Sequence, residues 1–89
     1  MNIKYTSQFK KDYKKIQKQN KDSEKLKILI EELSREKTLN EHYQDHPLSG
    51  KWKNYRECHI APDWLLIYKI TSDTLILVRT GSHSELFKM

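Results

Sequence analysis

Residues 55–80 read YRECHIAPDWLLIYKITSDTLILVRT and contain three runs of aromatic and β-branched residues. The runs extend from Tyr55 to Ile60, from Trp64 to Ile70 and from Leu75 to Thr80. The connections between them, Ala61-Pro62-Asp63 and Thr71-Ser72-Asp73, are short enough for antiparallel hairpins. The middle run is apolar at nearly every position, which is typical of a central strand covered on both faces. This segment therefore predicts three consecutive antiparallel strands.

A short strand and two helices are predicted upstream of these strands. Residues 3–5 alternate apolar and polar side chains ahead of Thr6 and Ser7, which suits a strand that leads into a helix N-cap. Apolar residues then recur at helical spacing in two stretches, and Asp22 or Ser23 can cap the second stretch. The first stretch contains Phe9, Tyr13 and Ile16, and the second contains Leu26, Leu29, Ile30 and Leu33. The pattern predicts a helical hairpin.

The fold class follows from the order of these elements. Residues from Glu36 to Gln44 show no sustained periodicity and predict a connection, and a further short strand is expected near Leu48. The order is then β-α-α, the short strand and β-β-β. We predict an α+β fold with a small, mostly antiparallel sheet and the N-terminal helical hairpin packed on one face. At 89 residues, the chain 1–89 is expected to form a single domain around one modest core.

The charge balance favours a polyanionic partner. Lysine and arginine total 17 against 12 for aspartate and glutamate, which gives a net charge of +5 and a pI near 9.3. Five of the lysines lie on the first predicted helix: Lys10, Lys11, Lys14, Lys15 and Lys18. A lysine face of this kind is usually just solvated, and the alternative is that it binds RNA phosphates in a salt-dependent manner.

Cysteine usage and hydropathy bear on the compartment. Cys58 is the only cysteine, so no intramolecular disulfide can form and a reducing compartment is compatible with the sequence. Residues 1–5 lead into a lysine-rich stretch rather than an apolar leader, and no apolar run approaches the ~18 residues of a membrane span. We expect a cytoplasmic protein that does not bind a membrane.

Three histidines with polar neighbours are the candidate catalytic groups. His46 occurs in DHPLSGKW, His59 in CHIAPDW and His83 in RTGSHSELF, all at predicted strand ends or loops that can converge at one sheet edge. RNA cleavage without a metal needs a base for the ribose 2′-OH and an acid for the departing 5′-oxygen, and histidine suits both. Arg56 and Arg79 could stabilise the phosphate. Any single histidine of this kind is more often structural than catalytic.

The same residues and their neighbours have competing uses. A metal site from the histidines and Cys58 is disfavoured, since no CxxC or HExxH spacing is present. Cys58 is better interpreted as a buried, inert thiol than as a nucleophile. Asp63 could orient a histidine, but a role in the turn is favoured. Trp52, Tyr55 and Phe87 suit stacking on unpaired bases, and core packing explains the first two equally well.

The second half of the chain resembles the YafQ branch of the RelE/ParE toxin superfamily. The resemblance rests on DHPLSGKW, CHIAPDWLLIY and RTGSHSELF in this order, and it extends from Asp45 to Phe87. Residues 1–44 match mainly in their strand-helix-helix layout and basic character. The resemblance implies a RelE-like fold and a cofactor-free, metal-independent endoribonuclease that cuts messenger RNA in the ribosomal A site. Such toxins cut by 2′-OH attack and leave a 2′,3′-cyclic phosphate and a 5′-OH.

The resemblance also implies site residues and partners. The functional positions carried over from the family are His46, His59, Asp63, Trp64, His83 and Phe87. His83 and His46 are expected to act as acid and base, without an assignment of which does which. His59 and Asp63 are expected to tune or orient them and contact phosphate, and Phe87 to position a base. With the arginines and helix lysines that the residues themselves indicate, the RNA-contacting set comprises Trp64, Arg56, Arg79, Phe87, Lys10, Lys11 and Lys14. The expected partners are the ribosome with its messenger RNA and a DinJ/RelB-like antitoxin, through which alone the chain would reach operator DNA.

Two rival functions stay open at this point. The first is a non-catalytic interaction protein, either a ribosome binder or an antitoxin-bound DNA-binding corepressor. The second is a ParE-like poison of DNA gyrase, a class of the same superfamily that lacks this histidine set.

Overall fold

The chain folds into a mixed five-stranded sheet with helices on both of its faces. We describe it from a computed structural model, which covers residues 1–36 and 39–87. The elements in chain order are β1 (Asn2–Tyr5), α1 (Ser7–Lys18), α2 (Ser23–Ser34), β2 (His46–Pro47), β3 (Arg56–Ala61), β4 (Trp64–Thr71), β5 (Thr74–Gly81) and α3 (His83–Phe87). Single 3₁₀ turns at Glu41–Tyr43 and Gly50–Trp52 flank β2.

The strand order in the sheet is β1-β5-β4-β3-β2. The last four strands pair antiparallel with their neighbours, while β1 pairs parallel with β5. The predicted α+β class and the mostly antiparallel sheet are thereby confirmed, and the short strand expected near Leu48 lies at His46–Pro47. The predicted connection from Glu36 to Gln44 includes residues 37 and 38, which lie outside the described residues.

Both long helices begin at the predicted caps. The Thr6 hydroxyl accepts a hydrogen bond from the Phe9 amide at 2.9 Å, and an Asp22 carboxylate oxygen accepts one from the Glu24 amide at 3.1 Å. Each cap satisfies an amide that the first turn leaves without an intrahelical partner. The apolar stripes of α1 and α2 then face the sheet, where Phe9, Ile16 and Leu26 join the core.

Alternation along the strands divides their side chains between the two sheet faces. On the helical-hairpin face, β3 and β4 contribute Cys58, Trp64, Leu66 and Tyr68 to the larger apolar cluster. Leu65 and Ile67 point the other way and form a second cluster with Leu86 of α3, bordered by Leu48, Trp52, Tyr55, Val78 and Phe87. The expectation of one core was therefore too simple, because β4 is covered on both faces and each face has its own cluster.

The helix α3 was not predicted from the sequence. It contains five residues, too few to display a helical period, and it begins directly after β5. In the two described ranges, we find no helix with the length and apolar character required to cross a membrane.

Candidate active site

The three predicted histidines gather on the sheet face opposite the helical hairpin. His46 lies on β2, His59 on β3 and His83 at the start of α3. The ring centroids of His46 and His59 are 6.3 Å apart, and those of His59 and His83 are 5.7 Å apart. The predicted convergence is confirmed, and His59 occupies the middle of the row. The side chain of His59 points to this face because its neighbours Cys58 and Ile60 belong to the opposite cluster.

A carboxylate from the β3–β4 turn holds His83. The Asp63 Oδ1 atom is 3.1 Å from the His83 Nδ1 atom and also accepts the His83 backbone amide at 3.1 Å. These hydrogen bonds, with the charge of the imidazole, lower the pKa of Asp63 below its ordinary value. The sequence favoured a turn role for Asp63, whereas its carboxylate orients the imidazole. A ring that donates from Nδ1 to a carboxylate presents Nε2 as its free nitrogen.

Glu57 is a site residue that the sequence-based prediction missed. It lies directly across from His46 in the β2–β3 ladder, and its Oε2 atom is 2.8 Å from the His46 Nε2 atom. The other ring nitrogen of His46 is 3.1 Å from the Pro47 carbonyl oxygen, so both nitrogens face acceptors. Glu57 is only 4% exposed. The signal in the sequence was a carboxylate inside a predicted strand, beside Cys58, where burial of an unpaired charge is costly.

Two buried polar atoms at this site have no hydrogen-bond partner within residues 1–36 and 39–87. They are Glu57 Oε1 and His59 Nδ1. Buried polar atoms are nearly always hydrogen-bonded, and exceptions concentrate at functional sites. These two atoms therefore mark the histidine row as a functional site.

The same residues can also hold a metal ion. Glu57, His59 and His83 each offer one ligand atom, and these atoms all lie within 4.8 Å of one another. The lack of CxxC and HExxH spacing disfavoured a metal site but did not exclude this set of residues. Its members come from β3 and α3 and include the unpredicted Glu57. Two imidazoles and a carboxylate suit zinc or copper.

An aromatic group borders the histidine row. The Phe87 ring centroid lies 6.5 Å from that of His83, and Trp52 meets Phe87 edge to face at 5.9 Å. Trp52 in turn meets Tyr55 at 5.5 Å. Phe87 is half-buried and stands one helical turn after His83. This position beside a candidate catalytic histidine fits the predicted role of Phe87 in placing a base.

The two arginines of the predicted RNA-contacting set are engaged elsewhere. Arg56 lies on the helical-hairpin face, where it contacts both carboxylate oxygens of Asp45 at 3.3 Å. Arg79 forms a two-pronged ion pair with Asp12 of α1, with both distances at 3.1 Å. Arg56 is therefore held on the face away from the histidines, and Arg79 is held by Asp12. Lys10, Lys11 and Lys14 do lie exposed on α1, as predicted.

Trp64 is also not on the RNA-accessible surface. It is 3% exposed, belongs to the larger core cluster, and donates from Nε1 to the Thr80 hydroxyl at 2.9 Å. That hydroxyl donates onward to the Leu65 carbonyl at 2.7 Å. The contacts of Trp64 are those of a core residue that ties β4 to β5.

We expect the Trp64→Phe variant to lose stability rather than RNA binding. The smaller ring leaves space in the core and removes the donor that satisfies Thr80, which together cost about 1–3 kcal/mol of unfolding free energy. Urea denaturation measures this loss, and cleavage at a temperature where the variant is fully folded measures function. A stable variant with weakened RNA binding would contradict the structural assignment.

Cys58 is buried and lies in the larger cluster. Burial is the largest cause that raises the pKa of its thiol, and the Asp45 and Glu57 charges add to it. A thiol of this kind stays protonated, so the interpretation of Cys58 as an inert core residue agrees with its surroundings.

The fold is similar to that of bacterial toxins of known structure. A copper-bound mutant toxin from Helicobacter pylori has a TM-score of 0.94 and 44% identity, with 98% of this chain and 99% of that chain covered. YafQ in the Escherichia coli DinJ–YafQ complex has a TM-score of 0.90 and 48% identity, with 97% of each chain covered.

The family model of YafQ, a bacterial toxin of type II toxin–antitoxin systems, matches residues 1–88. The mRNA interferase toxin YafQ of Escherichia coli (strain K12) is 49% identical over 86 residues, with 96% of this chain and 94% of that protein covered. The chain therefore belongs to the YafQ family of toxins.

Proposed function

We propose that this chain is an endoribonuclease that cleaves messenger RNA and thereby inhibits translation and growth. The observation that carries the proposal is the row of His46, His59 and His83 with a carboxylate at each end, Glu57 on His46 and Asp63 on His83. The 49% identical Escherichia coli relative is an mRNA interferase. The histidine row provides two proton-transfer groups, one for each of the base and acid steps of phosphodiester cleavage by 2′-OH attack.

The proposed reaction is an internal transfer at phosphorus. The ribose 2′-oxygen forms a bond to phosphorus while the bond from phosphorus to the 5′-oxygen breaks. One histidine takes the 2′-OH proton and a second donates a proton to the 5′-oxygen, which leaves a 2′,3′-cyclic phosphate and a 5′-OH. We assign these two steps to His46 and His83. The His59 ring lies between these two histidines and is assigned to orienting them and contacting the phosphate.

The chemistry is proposed to be metal-independent. The residues able to hold a metal, Glu57, His59 and His83, overlap the proton-transfer groups. A zinc or copper ion bound there would occupy the nitrogen lone pairs that take up protons, so its chemistry would be inhibitory. The copper-bound toxin from Helicobacter pylori makes such binding a reasonable expectation for this chain.

The proposed partners are the ribosome with its messenger RNA and a cognate antitoxin of the DinJ/RelB type. The lysines of α1 supply an exposed basic face, and Lys15 connects that face to α3 through an ion pair with Glu85. The basic face therefore adjoins the element that carries His83. The Escherichia coli relative is found in complex with DinJ, and operator DNA would be reached only through such a complex.

The test is primer extension on a messenger translated in a reconstituted system. We expect cuts in phase with codons that require ribosomes, products ending in a 2′,3′-cyclic phosphate, and an unchanged rate in EDTA. Stoichiometric Cu²⁺ or Zn²⁺ should suppress the cuts, and EDTA should restore them. Loss of cleavage in EDTA alone would contradict the metal-independent mechanism.

The rival functions give different results in the same system. A non-catalytic ribosome binder or corepressor would arrest translation without cutting, and its activity would depend on Lys10, Lys11 and Lys14 rather than on histidines. A gyrase poison would leave translation intact and trap cleaved DNA in a gyrase assay.

A further inference from the structure

A second polar group lies on the opposite face of the sheet, behind His46. The Asp45 Oδ1 atom accepts a hydrogen bond from the Tyr68 hydroxyl at 2.6 Å, and both oxygens of Asp45 contact Arg56 at 3.3 Å. Tyr68 is 1% exposed and belongs to the larger core cluster, so it provides a rigid donor. We call the three residues Asp45, Arg56 and Tyr68 the Asp45 clamp.

The clamp holds a segment that has little other support. β2 consists of His46 and Pro47, and these two residues pair only with Glu57 and Arg56 in the described sheet. A two-residue edge strand has too few ladder hydrogen bonds to fix its own position. Immediately before Asp45, Gln44 adopts a φ of 49°, an unfavourable conformation for a non-glycine residue.

Side chains therefore decide where this strand lies. Asp45 is anchored to the core on the hairpin face, and its neighbour His46 emerges on the opposite face against Glu57. Because successive residues of a strand point to opposite faces, any shift of Asp45 moves the His46 ring with it. Burial and the hydrogen bond to Asp45 both raise the pKa of the Tyr68 hydroxyl, so it remains a donor.

We propose that Asp45, Tyr68 and Arg56 are positioning residues for His46, acting through the sheet from the side that the RNA does not reach. This inference rests on the proposed ribonuclease function. It gives Arg56 a role different from the predicted phosphate contact. Misplacement of a catalytic group by about 1 Å can cost up to ~10²-fold in rate, so a clamp of this kind has a measurable effect.

The test compares Tyr68→Phe and Arg56→Leu with the native chain in single-turnover cleavage on programmed ribosomes. Both variants are expected to lower the rate at saturating toxin by roughly 5–20-fold while leaving the half-saturating toxin concentration unchanged. Tyr68→Phe keeps the buried ring, and Arg56 is partly exposed, so at least one variant is expected to fold. A rise in the half-saturating concentration of Arg56→Leu with an unchanged rate would instead show a phosphate contact.

The histidine ring signals in NMR provide a readout that a general loss of stability would not change. In folded Tyr68→Phe, the His46 signals should shift while those of His83 stay in place. The matched control is Tyr13→Phe, since the Tyr13 hydroxyl makes no hydrogen bond in the part of the chain that the structure describes. Unmoved His46 signals together with a native cleavage rate would overturn the proposal.

His46→Ala separates this inference from the function on which it rests. If His46→Ala cleaves at the native rate, the assigned role of His46 is wrong and the clamp has nothing to position. If His46→Ala is inactive but both clamp variants keep the native rate, the ribonuclease assignment stands and the positioning inference fails.

Discussion

His83→Ala is expected to cleave messenger RNA about 10³-fold more slowly than the native chain, within the ~10²–10⁴-fold range of general acid–base catalysis. The Asp63 carboxylate binds the Nδ1 side of the ring, which leaves Nε2 as the nitrogen that exchanges a proton with the substrate. Alanine removes that nitrogen but keeps the backbone amide that Asp63 also accepts, so the start of α3 is preserved. The measurement is the single-turnover rate on programmed ribosomes, with ribosome binding measured in parallel.

Asp63→Asn is the companion variant, which keeps the His83 ring and changes only the group that holds it. The amide oxygen can still accept from His83, but it lacks the charge that stabilises an imidazolium, and we expect a smaller loss of about 10–100-fold. The lowered pKa of Asp63 means that any stabilisation from its ionised form is present above the unfolded-state pKa and is lost as the pH falls through the folded-state pKa. Asp63 thus stays ionised in neutral assays. Native activity of His83→Ala would refute the central assignment.

The elements of the fold could be predicted because each is encoded locally. The stripes of α1 and α2 and the apolar run of β4 reveal their periods within a few residues of chain, and the caps at Thr6 and Asp22 stand at the expected positions. The helix α3 was not predicted because its five residues do not complete two turns and show no helical period. The two-sided cover of the middle strand was predicted, but Leu86 of α3, which covers the second cluster, was not identified for the same reason.

Site residues that belong to a sequence motif could be predicted. Site residues and contacts that depend on how the strands pair were missed. The direction in which each side chain of β5 points depends on a register shift between β4 and β5. The shift lies opposite Ile67 and Tyr68 and leaves Val78 without a paired residue in β4. Arg79 meets Asp12 of α1, a contact between residues that are far apart in sequence. Glu57 likewise can be recognised as a site residue only once β2 is paired with β3, because its partner His46 lies in another motif.

Glu57→Gln is expected to lower the cleavage rate by about 10²-fold without lowering stability. The carboxylate that holds His46 Nε2 is nearly fully buried, and its Oε1 atom has no hydrogen-bond partner in the described residues. A buried and half-satisfied carboxylate costs folding free energy, and replacement by a neutral amide of the same shape relieves part of that cost. We expect the unfolding free energy to rise by about 1 kcal/mol, equivalent to roughly 4–8 °C in Tm for a domain of this size.

A lower cleavage rate together with a higher unfolding free energy distinguishes a functional carboxylate from a structural one. If Glu57 merely braced β2 against β3, its loss would lower Tm and cleavage together, and the remaining activity would follow the folded fraction. Thermal unfolding followed by circular dichroism, with the cleavage rate measured well below Tm, separates the two cases. Glu31→Gln is the matched control, since that carboxylate is exposed on α2 at 4.0 Å from Arg35, and neither quantity is expected to change. The Glu57 carboxylate is expected to lower the unfolding free energy. A residue that lowers stability in this way is expected where function requires it.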